Sequence, residues 1–185
     1  MEQRPDRRAL PVRFAALGFL VESPMHGYEL RQRLTDGLGT LWGIASSQLY
    51  NVLHRLEDEG WIDSHAESDS SRPTRTVYAI TPTGMRSFES WITSPVEHLR
   101  DVRVEFLAKI YFLRRLSPER IDAFVESQIR LLENLESKLS RRRRLEIDDA
   151  QLGEIAVSFR TKQIRSLIDW LKESQGALGE TEGHT

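Results

Sequence analysis

The chain of 185 residues contains no cysteine. That excludes a disulfide framework, a thiolate metal site and a cysteine nucleophile, and it fits a reducing interior. The five histidines show neither a His-Glu-x-x-His motif nor an i, i+4 pair, so neither a metal site nor a cofactor is expected. The glycines form no phosphate loop and no dinucleotide fingerprint, and no Gly-x-Ser-x-Gly occurs, so an enzyme is not expected. Long hydrophobic runs are missing too. Nothing approaches the length of a membrane span, and the opening MEQRPDRRAL lacks the apolar core of a secretion signal. The expectation is a cytoplasmic protein with no membrane partner. An excess of one charge sign is also lacking: the net charge is -2, with 29% charged and 39% hydrophobic residues.

A near-neutral sum hides an uneven distribution. No acid occurs from Arg7 to Val21, from Leu38 to Leu56, or from Ser70 to Phe88. These windows hold Arg7, Arg8, Arg13, Arg55, Arg72, Arg75 and Arg86. A domain that is slightly acidic overall can still present a locally positive face.

Residues 25–62 are the most informative stretch. Leu30, Leu34 and Leu38 recur at i, i+4, i+8, and Leu49, Val52, Leu53 and Leu56 at i, i+3, i+4, i+7. Two short helices each bury one stripe there, joined by a Gly-containing turn. The free face of the second reads Ser47, Gln48, Tyr50, Asn51, His54 and Arg55, all hydrogen-bonding and with no acid before Glu57. Such a face suits a groove lined by phosphates and base edges, which makes a helix-turn-helix the candidate. Gln48 and Asn51 can pair bidentately with adenine, ordinary solvated polarity being the alternative. Gly27 suits close helix packing.

A first helix is expected from about Arg13 to Val21, broken by Ser23-Pro24. Gly60 is expected to cap the second helix of the pair in the left-handed region. Trp61 to Ala66 and Thr76 to Thr81 read as two strands around the polar loop ESDSSRPTR. Arg72 and Arg75 on that wing can enter a minor groove or clamp phosphates. Thr81-Pro82 starts a fourth helix bearing Met85, Phe88, Trp91 and Ile92. The fold class is therefore mainly α with a small two-stranded β wing: a winged helix-turn-helix over residues 1–93. A helical dimerisation domain over 94–174 follows the break at Ser94-Pro95, and 175–185 reads as a disordered tail.

In the C-terminal part, Val125, Gln128, Leu132, Leu135 and Leu139 alternate at spacings of three and four, a seam resembling a coiled coil. A last helix runs from about Asp149 to Glu173. The seam suggests a partner helix from a second copy, hence a homodimer; packing within one subunit is the alternative. Trp91, Phe106, Tyr111, Phe112 and Trp170 can line a pocket for an aromatic or hydrophobic effector, though aromatics at helical spacing are more often core. The basic run Arg141 to Arg144 reads first as a solvated helix end, and second as a nucleic-acid patch.

The spaced set Leu17-Gly18-Phe19-Leu20, Pro24-Met25-His26-Gly27-Tyr28-Glu29-Leu30, Leu49-Tyr50, Leu53-His54-Arg55-Leu56-Glu57 and Glu59-Gly60 resembles the PadR family of transcriptional regulators. The wing resembles it in Arg72-Pro73-Thr74-Arg75 and Tyr78-Ala79-Ile80-Thr81. The later Phe106-Leu107-Ala108-Lys109-Ile110-Tyr111-Phe112 looks like the start of the C-terminal domain of longer members. The resemblance implies a dimeric winged-helix repressor bound to double-stranded DNA at a near-palindromic operator and released by a small-molecule effector. It also implies DNA contacts from Arg72, Thr74 and Arg75 on the wing, and from Tyr50, whose phenol can donate to a phosphate oxygen. The chain departs from the family's small residue or proline near the Leu-Tyr pair, carrying Ser47, Gln48 and Asn51 instead. The rival function is a winged-helix module for protein–protein assembly with no DNA target; the acid-free helix and wing argue against it.

Overall fold

The computed structural model describes residues 10–40, 46–67, 75–142 and 148–179. Helix α1 spans Leu10–Glu22. Val12, Ala15, Ala16, Leu17, Phe19 and Leu20 are all buried, so this helix has no single wet face and serves as the core of its unit. Ser23-Pro24 ends it. Strand β1 is Met25–His26, followed at once by α2, Gly27–Leu38, and then by α3, Ser46–Asp58. The two leucine-rich stripes lie where their periods place them: Leu30, Leu34 and Leu38 on α2, and Leu49, Val52, Leu53 and Leu56 on α3, are buried.

Gly60 adopts φ 69°, the left-handed region that glycine enters without a Cβ penalty. The amides of Gly60 and Trp61 then bond back to the carbonyls of Glu57 and Leu56, closing α3 in a Schellman turn. From it issue β2, Ile62–Glu67, and β3, Arg75–Ile80, paired antiparallel. The sheet has three strands in the order β1-β3-β2, with Met25 opposite Tyr78 and His26 opposite Val77. The expected two-stranded wing is thus one strand short. A two-residue strand shows no alternation of its own and exists only because β3 passes beside it.

Helix α4 spans Pro82–Thr93. The Thr81 hydroxyl accepts the Gly84 N–H at 3.1 Å and donates to the Gly60 carbonyl at 2.7 Å. One side chain therefore caps α4 and ties it to the end of α3; such a cap stabilises by about 1 kcal/mol.

Beyond α4 come α5, Leu99–Asp101, a π-helical stretch, Val102–Phe106, and α6, Leu107–Leu116. A single 3-10 turn, Pro118–Arg120, leads into α7, Ile121–Ser140, and α8 spans Ala150–Gly179. The chain divides into two compact units. The first holds the described residues up to Thr93 together with Leu107–Phe112; the second holds Ser94–Phe106 and the described residues from Leu113 onward. In the first, Phe112 meets Phe19 and Phe88 edge-on at centroid distances of 5.2 and 5.8 Å.

In the second unit α7 and α8 run antiparallel, with Glu136 against Arg165 and Glu133 paired with Lys172 at 3.0 Å. Val125, Gln128 and Leu132 are completely buried within this single chain, while Leu135 and Leu139 are half-buried. The Gln128 amide accepts the Val96 N–H at 2.6 Å and donates to the Val96 carbonyl at 3.0 Å. Three of the five seam positions are thus buried in the single chain, where α7 packs on α8 and Gln128 bonds the Val96 backbone. On α8, Ile164, Ile168 and Leu171 are buried, whereas Leu152, Ile155 and Phe159 are 50%, 57% and 60% exposed. The helix also runs through Gly179, five residues into the stretch expected to be tail. Each added residue gains a backbone bond that offsets glycine's cost of about 1 kcal/mol. Among the described residues no helix is long and apolar enough to cross a membrane.

Candidate nucleic-acid interface

Helix α3 turns its four apolar positions inward, which leaves the intervening positions outward. Tyr50, Asn51, His54 and Arg55 are exposed there and Gln48 is half-buried. The first acid after them, Glu57, is half-buried and accepts a hydrogen bond from the Ser64 hydroxyl. The outward face therefore combines amides, a phenol, an imidazole and a guanidinium with no competing free carboxylate until the end of the helix. Arg75 opens β3 and is exposed. Ser47 lies in the first turn of α3; its side chain, and the whole of Arg72 and Thr74, fall outside the described residues.

Two of the expected contacts meet in one place. Tyr50 and Arg75 line a notch of about 680 Å³ together with His26, Tyr28 and Tyr78. Gly27 makes the convergence possible: a Cβ there would stand 3.1 Å from Cε1 of Tyr50 and 3.3 Å from Cε2 of Tyr78. The close approach expected of Gly27 is thus to two phenol rings. Burial first, and the charges of Glu57 and Tyr50 after it, push the Tyr78 phenol above the usual tyrosine range. His26 stands at the N-cap of α2 but gives no side-chain hydrogen bond to its first turn. Its ring lies instead across the sheet, with Nδ1 3.4 Å from the Thr76 carbonyl and Nε2 3.6 Å from Glu67.

His26, Tyr28 and Tyr78 were not singled out from the sequence as DNA contacts. Their convergence with Tyr50 depends on the pairing of β1 with β3, which no local pattern announces. The aromatics expected around an effector fall in both units. Trp91 stacks on Phe14 at 4.8 Å with Lys109 5.1 Å from its ring, and Tyr111 packs on Phe19 at 5.9 Å. Phe106 stacks on Phe124 at 5.3 Å and meets Trp170 edge-on at 6.0 Å. Arg141 and Arg142 are exposed just past the end of α7, while Arg143 and Arg144 lie outside the described residues. Among the described residues no group of three or more His, Cys, Asp or Glu side chains is arranged to hold a metal ion.

Comparison with known proteins yields two family patterns. Residues 16–90 match the transcriptional regulator PadR-like family, and residues 102–179 match the family described as virulence activator alpha C-term. The negative transcriptional regulator PadR of Bacillus subtilis is 27% identical over 129 residues, which cover 70% of this chain and 69% of that protein. A probable transcriptional regulator of Mycobacterium tuberculosis is 33% identical over 95 residues, covering 51% of this chain and 49% of the relative. The crystal structure of Bacillus subtilis PadR in complex with operator DNA aligns with a TM-score of 0.47 at 21% identity, covering 94% of this chain and 99% of that one.

Proposed function

We propose, from the match of residues 16–90 to the PadR-like family of transcriptional regulators, that the chain is a repressor which binds operator DNA as a homodimer. The observation that carries the reading is the outward face of α3. Its polar side chains project from a helix whose opposite stripe is buried, as a helix entering a major groove requires. Gln48 and Asn51 read base edges; Tyr50, Arg55 and Arg75, with Arg72 and Thr74 of the wing, hold phosphates. Repression is supported by the name of the Bacillus subtilis relative, a negative transcriptional regulator.

The dimer is supported by α8. Leu152, Ile155 and Phe159 follow one another at i, i+3, i+7 and stay exposed, which places an apolar stripe on one side of the first three turns. A second copy offers the same stripe, and a two-fold axis lets each cover the other. Two recognition helices then read half-sites about one helical turn apart, roughly 10 bp or a multiple of it, in a near-palindrome. The protein works where its DNA is, in the cytoplasm. An aromatic or hydrophobic effector completes the cycle by releasing the operator, and Trp91, Phe106, Tyr111 and Trp170 are its candidate contacts.

The test is binding to duplexes from the region upstream of its own gene and to scrambled duplexes, across a salt series. A repressor of this kind binds one duplex preferentially, as a dimer, with affinity falling steeply as salt rises. Salt-independent or absent binding to every duplex would return the chain to protein–protein assembly.

A further inference from the structure

The notch beside α3 holds polar groups that nothing within the chain uses. Tyr78 is 8% exposed and lines the notch, yet among the described residues its hydroxyl makes no hydrogen bond. Its oxygen is not sealed from solvent, so an acceptor that enters the notch can take the place of water on the phenol. Like any tyrosine at physiological pH it is an O–H donor. Arg75 lines the same notch and forms no ion pair among the described residues. Helix α2, 12 residues long, begins there without a side-chain cap, so its first-turn amides and the positive end of its dipole face the notch. Each carboxylate at the notch has a partner of its own: Glu29, which lines it, pairs with Arg33 at 3.1 Å, Glu67 lies 3.6 Å from the lining His26, and Glu57 accepts from Ser64.

We propose that this notch seats one phosphodiester of the bound DNA in each half-site, held jointly by the first turn of α2, Tyr50, Tyr78 and Arg75. The seat presupposes operator binding and adds to it a single shared anchor. A phosphodiester is a mono-anion rich in acceptors, which is what an unpaired phenol, an unpaired guanidinium and an open helix start can hold together. About 680 Å³ also admits the sugars on either side. Because α2, α3 and β3 meet on one phosphate, the seat sets the angle at which α3 enters the groove.

The experiment is a scan of the operator with neutral methylphosphonates, one phosphate at a time, against the full-length protein. Binding is measured for the unaltered chain, Tyr78→Phe and Arg75→Ala. With the unaltered chain, one phosphate per half-site shows a loss of about ten- to a hundredfold. Both variants bind the unmodified operator more weakly, and both lose the penalty at that same phosphate while keeping it elsewhere. Arg75 is exposed, so its variant reports even if Tyr78→Phe unfolds. If the unaltered chain binds but the variants lower affinity evenly across all phosphates, the seat is overturned while operator binding stands. If the unaltered chain binds no duplex, both fall together.

Discussion

Helices α3 and α8 are built on the same plan and used differently. Each buries one stripe, Leu49, Val52, Leu53 and Leu56 in the first, Ile164, Ile168 and Leu171 in the second. Each then leaves other positions uncovered. On α3 the uncovered side chains are Tyr50, Asn51, His54 and Arg55, whose polar atoms are satisfied by water or by a polar partner. On the first turns of α8 they are Leu152, Ile155 and Phe159, which gain only by leaving water. Burial alone says that both helices have free surface. The chemistry of that surface separates a face suited to a polar partner from a face suited to an apolar one.

The largest effect expected from breaking this contrast is on α8. Ile155→Glu combined with Phe159→Glu places charge in an apolar stripe, so the protein sediments as a monomer and operator affinity falls by about 10²- to 10⁴-fold as tethering of the half-sites is lost. A double variant that still sediments as a dimer puts the joining face elsewhere.

Next come the stripes the two helices share. Leu53→Ala in α3 and Ile168→Ala in α8 each remove buried methyl groups and are expected to lower unfolding free energy by about 2–5 kcal/mol. Urea titration checks both, and a loss below about 1 kcal/mol at either would mean that the stripe is not packed as described.

On the reading face the expected effect is smaller and selective. Gln48→Ala or Asn51→Ala relaxes preference at one base pair per half-site, worth about 1–3 kcal/mol for a bidentate contact. Competition between the operator and single-base variants measures it. Unchanged discrimination in both variants would hand base reading to the wing.

The smallest effect is a pH dependence at the root of that face. The folded chain holds the Tyr78 proton more tightly than the unfolded one does, because burial disfavours the phenolate. Its contribution to stability is therefore complete below the unfolded tyrosine pKa of about 10, and it is lost as pH rises from there through the folded value. Denaturant midpoints at increasing alkaline pH should fall less steeply in Tyr78→Phe than in the unaltered chain; parallel slopes would contradict the assignment.

How much of this was legible in the sequence follows from what a period can encode. The apolar repeats of α2 and α3 named their buried residues, because a helix that packs on one side must repeat near 3.6. Thr81-Pro82 and Gly60 named the start of α4 and the end of α3, because caps depend on a few adjacent residues. The repeat through Val125, Gln128 and Leu132 named buried positions equally well but was silent on the cover, since any apolar surface produces the same period. Strand β1 and the notch it helps to build were beyond local reading. Tyr78 and Gly27 are brought together by the antiparallel pairing of Met25 with Tyr78 across more than fifty positions of sequence.

The first unit is completed by Leu107–Phe112, which in the chain comes only after the stretch that opens the second unit. A growing polypeptide therefore cannot finish its winged helix when Thr93 leaves the ribosome. At about 5–20 residues per second, Phe112 emerges roughly one to four seconds later. Until then the rings of Phe19 and Phe88 lack the partner they later meet edge-on. A message truncated after Thr93 would yield a nascent core with a hole in it, a substrate for chaperones rather than a spare DNA-binding module. The two units are thus linked in time of birth as well as by sequence, and the regulator emerges from synthesis all but whole.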